Sequence, residues 1–436
     1  MLIQFSVTNF MVFKDQTILS MMANSDHTQE DDNTILDSKF NLRLLKSAVI
    51  YGANASGKTK IFKALEFMKK FVISSSKGSQ IGDKINVDPF KLSTITENEP
   101  SEFEVIFLYN DIIYRYGFEC NESDVISEWL FYKKNKKDIQ LFYRDEQDIE
   151  VHTDYKKGGL IKREGLLRNN VLLLSLAAQF NDEISIQVIN WFNKLLFISG
   201  IDHGNYEGFT LMNLKNPKLR NKIIDLTRFA DFGIDDVKLK KIDKNELPLD
   251  MPVELRDLLL KEVKKESSEI VMGALTKHKK FDENGKVVQD LFFSMDDEES
   301  SGTNKFFALS GPISSILDTG SILCVDELDS KLHPLLVSKI VSLFNSNLTN
   351  ANKAQLVFNT HNTYLLRTGL FRRDQVWFTK KNMYGAASLY PLSDFSPRKE
   401  EALENNYLNG KYGGIPYLKD IVNAFLNDKH TSKNEE

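Results

Sequence analysis

Gly52-Ala53-Asn54-Ala55-Ser56-Gly57-Lys58-Thr59 is the stretch that decides the fold. It fits the pattern G-x-x-x-x-G-K-[ST], and the run from Ser47 to Tyr51 before it is short, β-branched and aromatic, which predicts a buried strand. From Lys58 onward, apolar residues recur every three or four positions, which predicts a helix. A strand, a glycine-rich loop and a helix in this order predict a phosphate-binding loop.

Each residue type in this loop has a chemical reason. Glycines let main-chain amides turn inward around a phosphate, and the helix N-terminus adds a partial positive charge. Lys58 supplies a full charge for the phosphate oxygens, and Thr59 offers a hydroxyl to Mg²⁺. We therefore expect nucleotide contacts at six positions, which are Gly52, Asn54, Ser56, Gly57, Lys58 and Thr59.

The run from Ser321 to Glu327 reads Ser-Ile-Leu-Cys-Val-Asp-Glu, an apolar strand that ends in two carboxylates. In phosphate-loop proteins the first acid holds the Mg²⁺ hydration shell, and a glutamate directly after it can take a proton from the attacking water. This pattern predicts Asp326 as a metal residue and Glu327 as a catalytic residue, and it favours hydrolysis over simple switching. The alternative is a strand that merely ends in solvent. Cys324 is predicted to be an inert core residue.

The composition limits what the protein can do. The chain has 436 residues, a net charge of −5, 42% hydrophobic residues and two cysteines, which is typical of a soluble protein of one or two large domains. A protein that binds nucleic acid over its whole surface would be basic, so any such contact must be local. No signal peptide or membrane helix is evident, and the few cysteines fit a reducing compartment. We therefore expect a cytoplasmic protein with no membrane contact.

The rest of the pattern indicates an α/β protein. Alternating apolar residues over 103–118, with a turn at Asn110-Asp111, predict an antiparallel β meander. Residues 181–280 are more charged and more helical, with an amphipathic helix predicted over 255–263, and a strand is predicted over 287–295. The final third alternates strand and helix.

Three further motifs lie near the acidic strand. Glu299-Ser300-Ser301-Gly302-Thr303 precedes the acidic strand, Leu328 to Pro334 follows it at once, and Asn359-Thr360-His361-Asn362 ends the next strand. The order of phosphate loop, Ser-x-Gly motif, Asp-Glu pair, short loop and Thr-His resembles the ABC-type ATPase heads of the SMC/RecF/OLD group. The opening Val7 to Phe13 is also similar to the first strand and loop of that group.

Several stretches are more closely similar to a bacterial subgroup of AAA-type ATPases called RloA or AbiLi, to which the ATPase subunit of the PARIS defence system is related. The resemblance covers both ends of the chain well and the middle, roughly 185–290, poorly. The stretches that carry it are Ser47 to Thr59, Asp326 to Pro334, Arg372 to Phe378 and Tyr407 to Pro416.

The resemblance implies roles for residues outside the phosphate loop. His361 matches a switch histidine that contacts the γ-phosphate, and Ser300 and Gly302 match the signature residues that reach the γ-phosphate of an opposite subunit. The loop from Ser330 to His333 matches one that crosses a dimer interface. Gln179 is our candidate for the glutamine that senses Mg²⁺ and water. The implied cofactors are ATP and Mg²⁺.

Each of these residues also has a structural alternative. His361 could be a hydrogen-bonded core histidine, Ser300 only a helix N-cap, and Gln179 a surface residue at the end of an element. Phe10 and Phe13 could stack on adenine, but the core is the expected place for both.

Clusters of basic residues leave two interpretations open. The clusters at Lys133–Lys137, Lys238–Lys241 and Lys277–Lys280 are expected to be solvated loops and hairpins, or, if they share a face, a track for a phosphate backbone. Arg372 and Arg373 either pair with acids inside the fold or reach a neighbour.

These observations predict an α/β fold, a P-loop NTPase with an ABC-type head in which helices flank a mixed β-sheet. The predicted organisation is a first lobe over 1–180, a mainly helical insertion over 181–295, a second lobe over 296–395 and a C-terminal extension over 396–436. The middle segment is too short for a long coiled-coil arm.

The resemblance implies an ATPase that closes around nucleotide as a dimer or higher oligomer. It further implies the switch subunit of a bacterial anti-phage defence system, with the effector in a separate, RloB- or Toprim-like protein encoded nearby. Two other functions stay open: a RecF-like genome-maintenance ATPase that binds nucleic acid, and an ATP-binding scaffold with little turnover.

Overall fold

The computed structural model describes residues 1–78, 80, 82–202, 204–230, 233–243, 269–398 and 400–416, and the helix predicted over 255–263 lies outside them. The chain divides into two units, each assembled from separate segments. The acidic-pair unit consists of Met1–Leu2, Met21–Ser47 and Asn190–Leu365. The phosphate-loop unit consists of Ile3–Ser20, Ala48–Ile189 and the described part of Leu366–Glu436.

The strands are numbered in chain order. They are β1 (Leu2–Thr8), β2 (Thr17–Ser20), β3 (Thr34–Asp37), β4 (Leu42–Leu45), β5 (Ser47–Gly52), β6 (Ser101–Tyr109), β7 (Ile112–Cys120), β8 (Val125–Lys133), β9 (Ile139–Asp145), β10 (Asp148–Val151), β11 (Leu195–Ser199), β12 (Asp236–Asp243), β13 (Glu269–Phe281), β14 (Val287–Ser294), β15 (Ile322–Asp326), β16 (Gln355–Asn359), β17 (Val376–Lys381) and β18 (Ala387–Pro391).

Helices connect and flank these strands. The α-helices are Glu30–Asn33, Lys58–Gly78, Lys156–Arg163, Leu173–Gln179, Glu183–Asn193, Gly204–Asn213, Pro217–Phe229, Met295–Glu298, Ser301–Thr319, Pro334–Asn345, Tyr364–Arg367 and Leu403–Leu408, and short 3-10 turns cover Thr96–Asn98, Arg373–Gln375 and Leu392–Phe395. Among the described residues no helix has the length and apolar character to cross a membrane.

The phosphate-loop unit contains the predicted meander. Strands β6 to β10 pair antiparallel in sequence order, and the sheet continues through β1 to β2. Asn110 and Asp111 form the turn between β6 and β7, and both have positive φ, 49° and 57°. Asn and Asp tolerate this left-handed conformation better than other non-glycine residues, so the residue types at the turn made it predictable.

The helix Lys58–Gly78 buries one face in this unit. Ile61, Leu65, Met68 and Val72, the positions that predicted it, are at most 2% exposed. In the same unit, β17 pairs parallel with β5 and antiparallel with β18. The strand that leads into the phosphate loop therefore has, as its neighbour, a strand from far along the chain.

The acidic-pair unit is built on three parallel strands in the order β11-β15-β16. All three run in one direction, so their carboxyl ends meet at one edge, where Ser199 is paired with Asp326 and Val325 with Phe358. The apolar residues of β15 are buried, and Cys324 is a free, buried cysteine as predicted. This register places Asn359 beside Asp326.

Part of the region predicted as mainly helical is a sheet. After the helix Pro217–Phe229, strands β12, β13 and β14 form an antiparallel sheet, of which the sequence predicted only the last strand. Its inner face packs Val237 and Ala274 with Phe307 of the helix Ser301–Thr319. Lysines alternate with apolar residues along β12, which is a strand pattern, although the high charge of this region is also typical of an exposed helix.

Candidate functional site

The phosphate loop follows β5, in which every residue is buried. Ala55 has φ 60° and Gly57 has φ 116°, so the loop turns through conformations that side chains disfavour. A Cβ on Gly52 would lie 2.2 Å from Thr379 Oγ1 and 2.8 Å from the Thr379 carbonyl oxygen. The motif therefore needs its first glycine because β17 packs directly against it.

Lys58 and Ser56 are held within this loop. Lys58 is 6% exposed, and its ammonium donates to the carbonyl oxygens of Gly52 at 2.8 Å and Ala53 at 3.0 Å. The hydroxyls of Ser56 and Thr379 are 2.5 Å apart and both residues are buried. Asn54 is exposed and Thr59 is half-buried. The loop is thus preformed, with Thr379 as a brace that the sequence analysis did not identify.

The acidic pair ends β15 in the other unit. Asn359 is fully buried at the end of β16, where its Nδ2 donates to Asp326 Oδ1 and its Oδ1 accepts from the Glu327 amide at 2.6 Å. Glu327 has φ 57°, a left-handed conformation that costs energy for a residue with a side chain. Asn359 therefore fixes both the carboxylate of Asp326 and the backbone from which the Glu327 side chain projects.

Gly200 supports the same backbone from the other side. Its amide donates to the Asp326 carbonyl oxygen at 2.6 Å, and a Cβ at this position would lie 1.9 Å from the Glu327 carbonyl oxygen. Only glycine allows this approach.

Replacing Gly200 by alanine is expected to destabilise the protein by about 1–3 kcal/mol or more, because the added methyl group forces the Glu327 peptide to move. Urea unfolding measures this change. Gly208→Ala is the matched control, because a Cβ there meets nothing within 4 Å and its helix should gain about 0.5–1 kcal/mol. Equal stability of the two variants would show that Gly200 is not under steric constraint.

Ser300 and Gly302 lie at the start of the helix Ser301–Thr319, which we call the signature helix. Ser300 is its N-cap, with its hydroxyl accepting from the Thr303 amide at 3.1 Å. A Cβ on Gly302 would lie 2.9 Å from the Lys331 carbonyl oxygen, so the loop after the acidic pair packs against the helix start. The capping alternative for Ser300 is thus observed, and it is compatible with the signature role, since Ser300 is exposed.

His361 follows β16 and is exposed, so it is not a core histidine. Its amide donates to Asp329 Oδ2 at 3.2 Å, which fixes its backbone to the loop after the acidic pair. In that loop, His333 is the N-cap of the helix Pro334–Asn345, and its Nδ1 accepts from the Leu335 amide at 3.3 Å. The ring nitrogen of His333 thus caps this helix as an aspartate carboxylate would.

Gln179 lies far from the phosphate loop. Its Nε2 donates to Ser76 Oγ at 2.8 Å, near the end of the helix Lys58–Gly78. A helix rises 1.5 Å per residue, so Ser76 is roughly 27 Å along the axis from Lys58. Gln179 is therefore not brought to the phosphate loop, and the sensing role assigned to it from the sequence is wrong for this position. The apolar run before Gln179 forms a helix whose Ser175 hydroxyl donates to the Val72 carbonyl oxygen at 2.6 Å, so this helix also packs on the far part of the helix Lys58–Gly78.

The aromatic and arginine alternatives are also decided. Phe10 and Phe13 are at most 1% exposed and belong to the core. Arg372 is 2% exposed and forms an ion pair with Asp374 at 2.8 Å. Pairing inside the fold is thus the correct interpretation for Arg372.

The positions of two site residues, Asn359 and Gly200, can be inferred from the sequence pattern, although neither was among the predicted site residues. Asn359 is the last residue of the strand after the acidic strand, and adjacent parallel strands end at one edge, so its proximity to Asp326 could have been inferred. Gly200 lies at the corresponding end of β11. Thr379 had no such signal, because its partner Ser56 is 323 positions away.

Several solved structures of SMC head domains are similar to this chain. The SMC head domain from Thermotoga maritima is 12% identical, with a TM-score of 0.41 over 89% of this chain and 98% of that chain. An SMC head bound to the C-winged helix domain of ScpA is 10% identical, with a TM-score of 0.46 over 89% and 97%. An SMC head with an extended coiled coil, bound to the C-terminal domain of ScpA from Pyrococcus furiosus, is 11% identical, with a TM-score of 0.40 over 91% and 97%. With TM-scores this low, these likenesses carry no argument about function.

Family comparison is more informative. No curated protein matches the chain significantly. A family model described as "AAA domain, putative AbiEii toxin, Type IV TA system" matches residues 47–367, which include the phosphate loop, the Ser-x-Gly motif, the acidic pair and His361. Because this match spans well over half of the sequence, the chain belongs to that family of AAA-domain proteins.

Proposed function

We propose that the protein binds ATP with Mg²⁺ and hydrolyses it. The observation that carries this proposal is the preformed phosphate loop, in which the Lys58 ammonium is held on main-chain carbonyls at a helix N-terminus. The donor set fits a nucleotide: amides and an ammonium suit phosphate oxygens, and the Thr59 hydroxyl suits magnesium. The direct test is the release of phosphate from ATP by the purified protein, and failure to bind ATP would contradict the proposal.

The acidic-pair residues supply the proposed chemistry. Bound Mg²⁺ would neutralise charge that develops on the phosphates. Asp326 would hold the metal through its water shell, with its carboxylate oriented by the Asn359 amide. Glu327 would take a proton from the attacking water, and its left-handed backbone sets the direction of its side chain. His361, exposed and fixed through its amide, would contact the γ-phosphate.

We further propose that two copies close around ATP. Ser300 is exposed at the N-terminus of a long helix, where it can meet an anion on another molecule. Closure with ATP and reopening after hydrolysis would make the protein a switch. We also propose that the ATPase head has two lobes, over 1–180 and 296–395. An insertion over 181–295 would lie between them in the sequence, and an extension over 396–436 would follow.

The biological role we propose is the switch subunit of an anti-phage defence system. The family description names an AbiEii toxin and a Type IV TA system, and we take the direction of this proposal from those words. A separate effector protein, encoded nearby, would carry the toxic activity. Co-purification of the neighbouring gene product with the protein, dependent on ATP, is the experiment that tests this part.

The basic clusters on β12 and β13 give little support to DNA binding as the main function. On β13, Lys277 pairs with Asp290 at 2.7 Å and Lys279 with Asp235 at 3.0 Å. On β12, the Lys238 ammonium lies 4.5 Å from the centre of the Phe292 ring. These three lysines lie beside acidic or aromatic side chains, so this part of the surface is mixed rather than a continuous track of positive charge.

Replacing Asn359 by aspartate is expected to raise the Mg²⁺ concentration needed for half-maximal hydrolysis by about 10–100-fold. The change removes the amide donor to Asp326 and puts a second carboxylate beside it, while the acceptor for the Glu327 amide is kept. Phosphate release is measured at saturating ATP over a series of Mg²⁺ concentrations. Asn284→Asp, in the exposed turn between β13 and β14, is the control. Unchanged Mg²⁺ dependence would contradict the role of Asn359.

A further inference from the structure

Lys305 is a lysine of the signature helix that the proposed reaction does not use. It lies at the second turn of that helix and is fully buried. Its ammonium donates to the carbonyl oxygens of Leu328 at 2.9 Å and Glu327 at 3.4 Å, and to that of Ser330. A buried lysine needs such partners, because an ammonium removed from water without them is unstable.

These carbonyls belong to the loop that follows the acidic strand. It begins at Glu327, the proposed base, and it continues to Lys331, whose carbonyl oxygen packs against Gly302. Asp329, in the middle of the segment, accepts from the His361 amide. A single ammonium thus joins the backbone of the base and of the loop after it to the helix that presents Ser300.

We propose that Lys305 is a positioning residue that couples the two nucleotide sites of the dimer. This inference rests on the proposed function, because it needs two copies that share nucleotides. A change at Glu327 when ATP is bound would shift the carbonyls that Lys305 holds. The signature helix would move with them, and with it Ser300 and Gly302, which serve the other copy's nucleotide.

Because the Lys305 ammonium can lose its proton, the coupling can be tested by a change of pH, with no change to the sequence. Burial lowers its pKa from 10.5 to about 8, while Asp329 and Glu327 favour the charged form and Lys331 opposes it. Above this pKa the neutral amine has two hydrogens for three carbonyls and no charge. The coupling should therefore weaken as the pH rises through the pKa.

A rise in pH through the pKa of Lys305 changes the stability of the fold in the opposite direction: the coupling weakens, but the free energy of unfolding increases. The pKa of Lys305 is lower in the folded protein than in the unfolded chain, so the buried charge costs stability below about pH 8. This cost decreases as the pH rises from about 8 towards 10.5. Loss of coupling above this pKa is thus distinguishable from unfolding caused by Lys305.

The experiment measures ATP binding and ATP-driven dimerisation separately. Wild-type protein and Lys305→Met are compared below and above the pKa of Lys305, by calorimetry for ATP and by sedimentation for the dimer. We expect Lys305→Met to bind ATP normally but to dimerise about 10-fold or more weakly at low pH, since a charged donor to three carbonyls is lost. Wild-type protein should approach the variant at high pH, and the variant should not respond to pH. Lys339→Met, an exposed lysine of the helix Pro334–Asn345, is the matched control.

The outcomes separate the inference from the proposed function. If wild-type protein neither binds ATP nor dimerises, the proposed function is wrong. If it does both, and Lys305→Met dimerises as well as wild type, the coupling role is wrong. If Lys305→Met does not fold, the wild-type pH series decides: dimerisation that is unchanged through the pKa of Lys305 overturns the inference.

Discussion

Protein with Lys58→Met is expected to bind ATP at least about 100-fold more weakly than wild type. The ammonium is already placed at the centre of the loop, where it donates to the carbonyls of Gly52 and Ala53. Its hydrogen bonds to phosphate oxygens would be charge-assisted, and each is worth about 1.5–3 kcal/mol. Methionine keeps most of the side-chain volume in this buried position but has no donor and no charge. Calorimetric titration with ATP measures the difference.

The control for this variant is on the same helix. Lys63→Met makes the same chemical change at an exposed position on the helix Lys58–Gly78, so it tests whether loss of one lysine from this helix affects binding in general. We expect Lys63→Met to bind ATP as wild type does. Similar affinities for wild type and Lys58→Met would contradict the assignment of this loop to phosphate.

Protein with Glu327→Gln is expected to hydrolyse ATP about 10²–10⁴-fold more slowly while it still binds ATP. Glutamine has the shape of glutamate but cannot take a proton from water. The backbone at this position is fixed by Asn359 and by contact with Gly200, so the substituted side chain should project in the same direction. With closure intact and hydrolysis stopped, the dimer should accumulate in the presence of ATP.

Two measurements on this variant are needed together. Phosphate release gives the loss of turnover, and sedimentation with and without ATP gives the dimer. Glu283→Gln, in the exposed turn between β13 and β14, is the control and should behave as wild type. If Glu327→Gln retained full turnover, Glu327 would not be the base. If it lost turnover but stayed monomeric with ATP bound, the closed dimer would be excluded.

The parts of the fold that could be predicted from sequence are those that local chemistry determines. The phosphate loop, its strand and its helix follow from glycine positions and apolar spacing, and the turn at Asn110-Asp111 follows from residue type. The membership of an AAA family, which the resemblance implied, is confirmed by the family match. In each case the deciding residues lie within a few positions of one another.

Long-range packing decided the parts that could not be predicted. Thr379 braces a loop 323 positions earlier. Gln179 is kept away from that loop by its contact with Ser76, near the far end of the helix Lys58–Gly78. Lys305 has the residue type of a surface lysine, and only its contact with three carbonyls explains its burial. No periodicity or motif spacing contains this information.

The brace on the phosphate loop has a consequence for how the protein is made. Gly52 and Ser56 leave the ribosome early, but Thr379 is synthesised 323 residues after Ser56, which takes on the order of tens of seconds. Until β17 arrives, the loop lacks the hydroxyl and the strand against which it is packed. An unfinished chain that lacks β17 therefore cannot hold the loop in its finished geometry. A fragment cut at residue 367, where the family match ends, would lack the brace for the same reason.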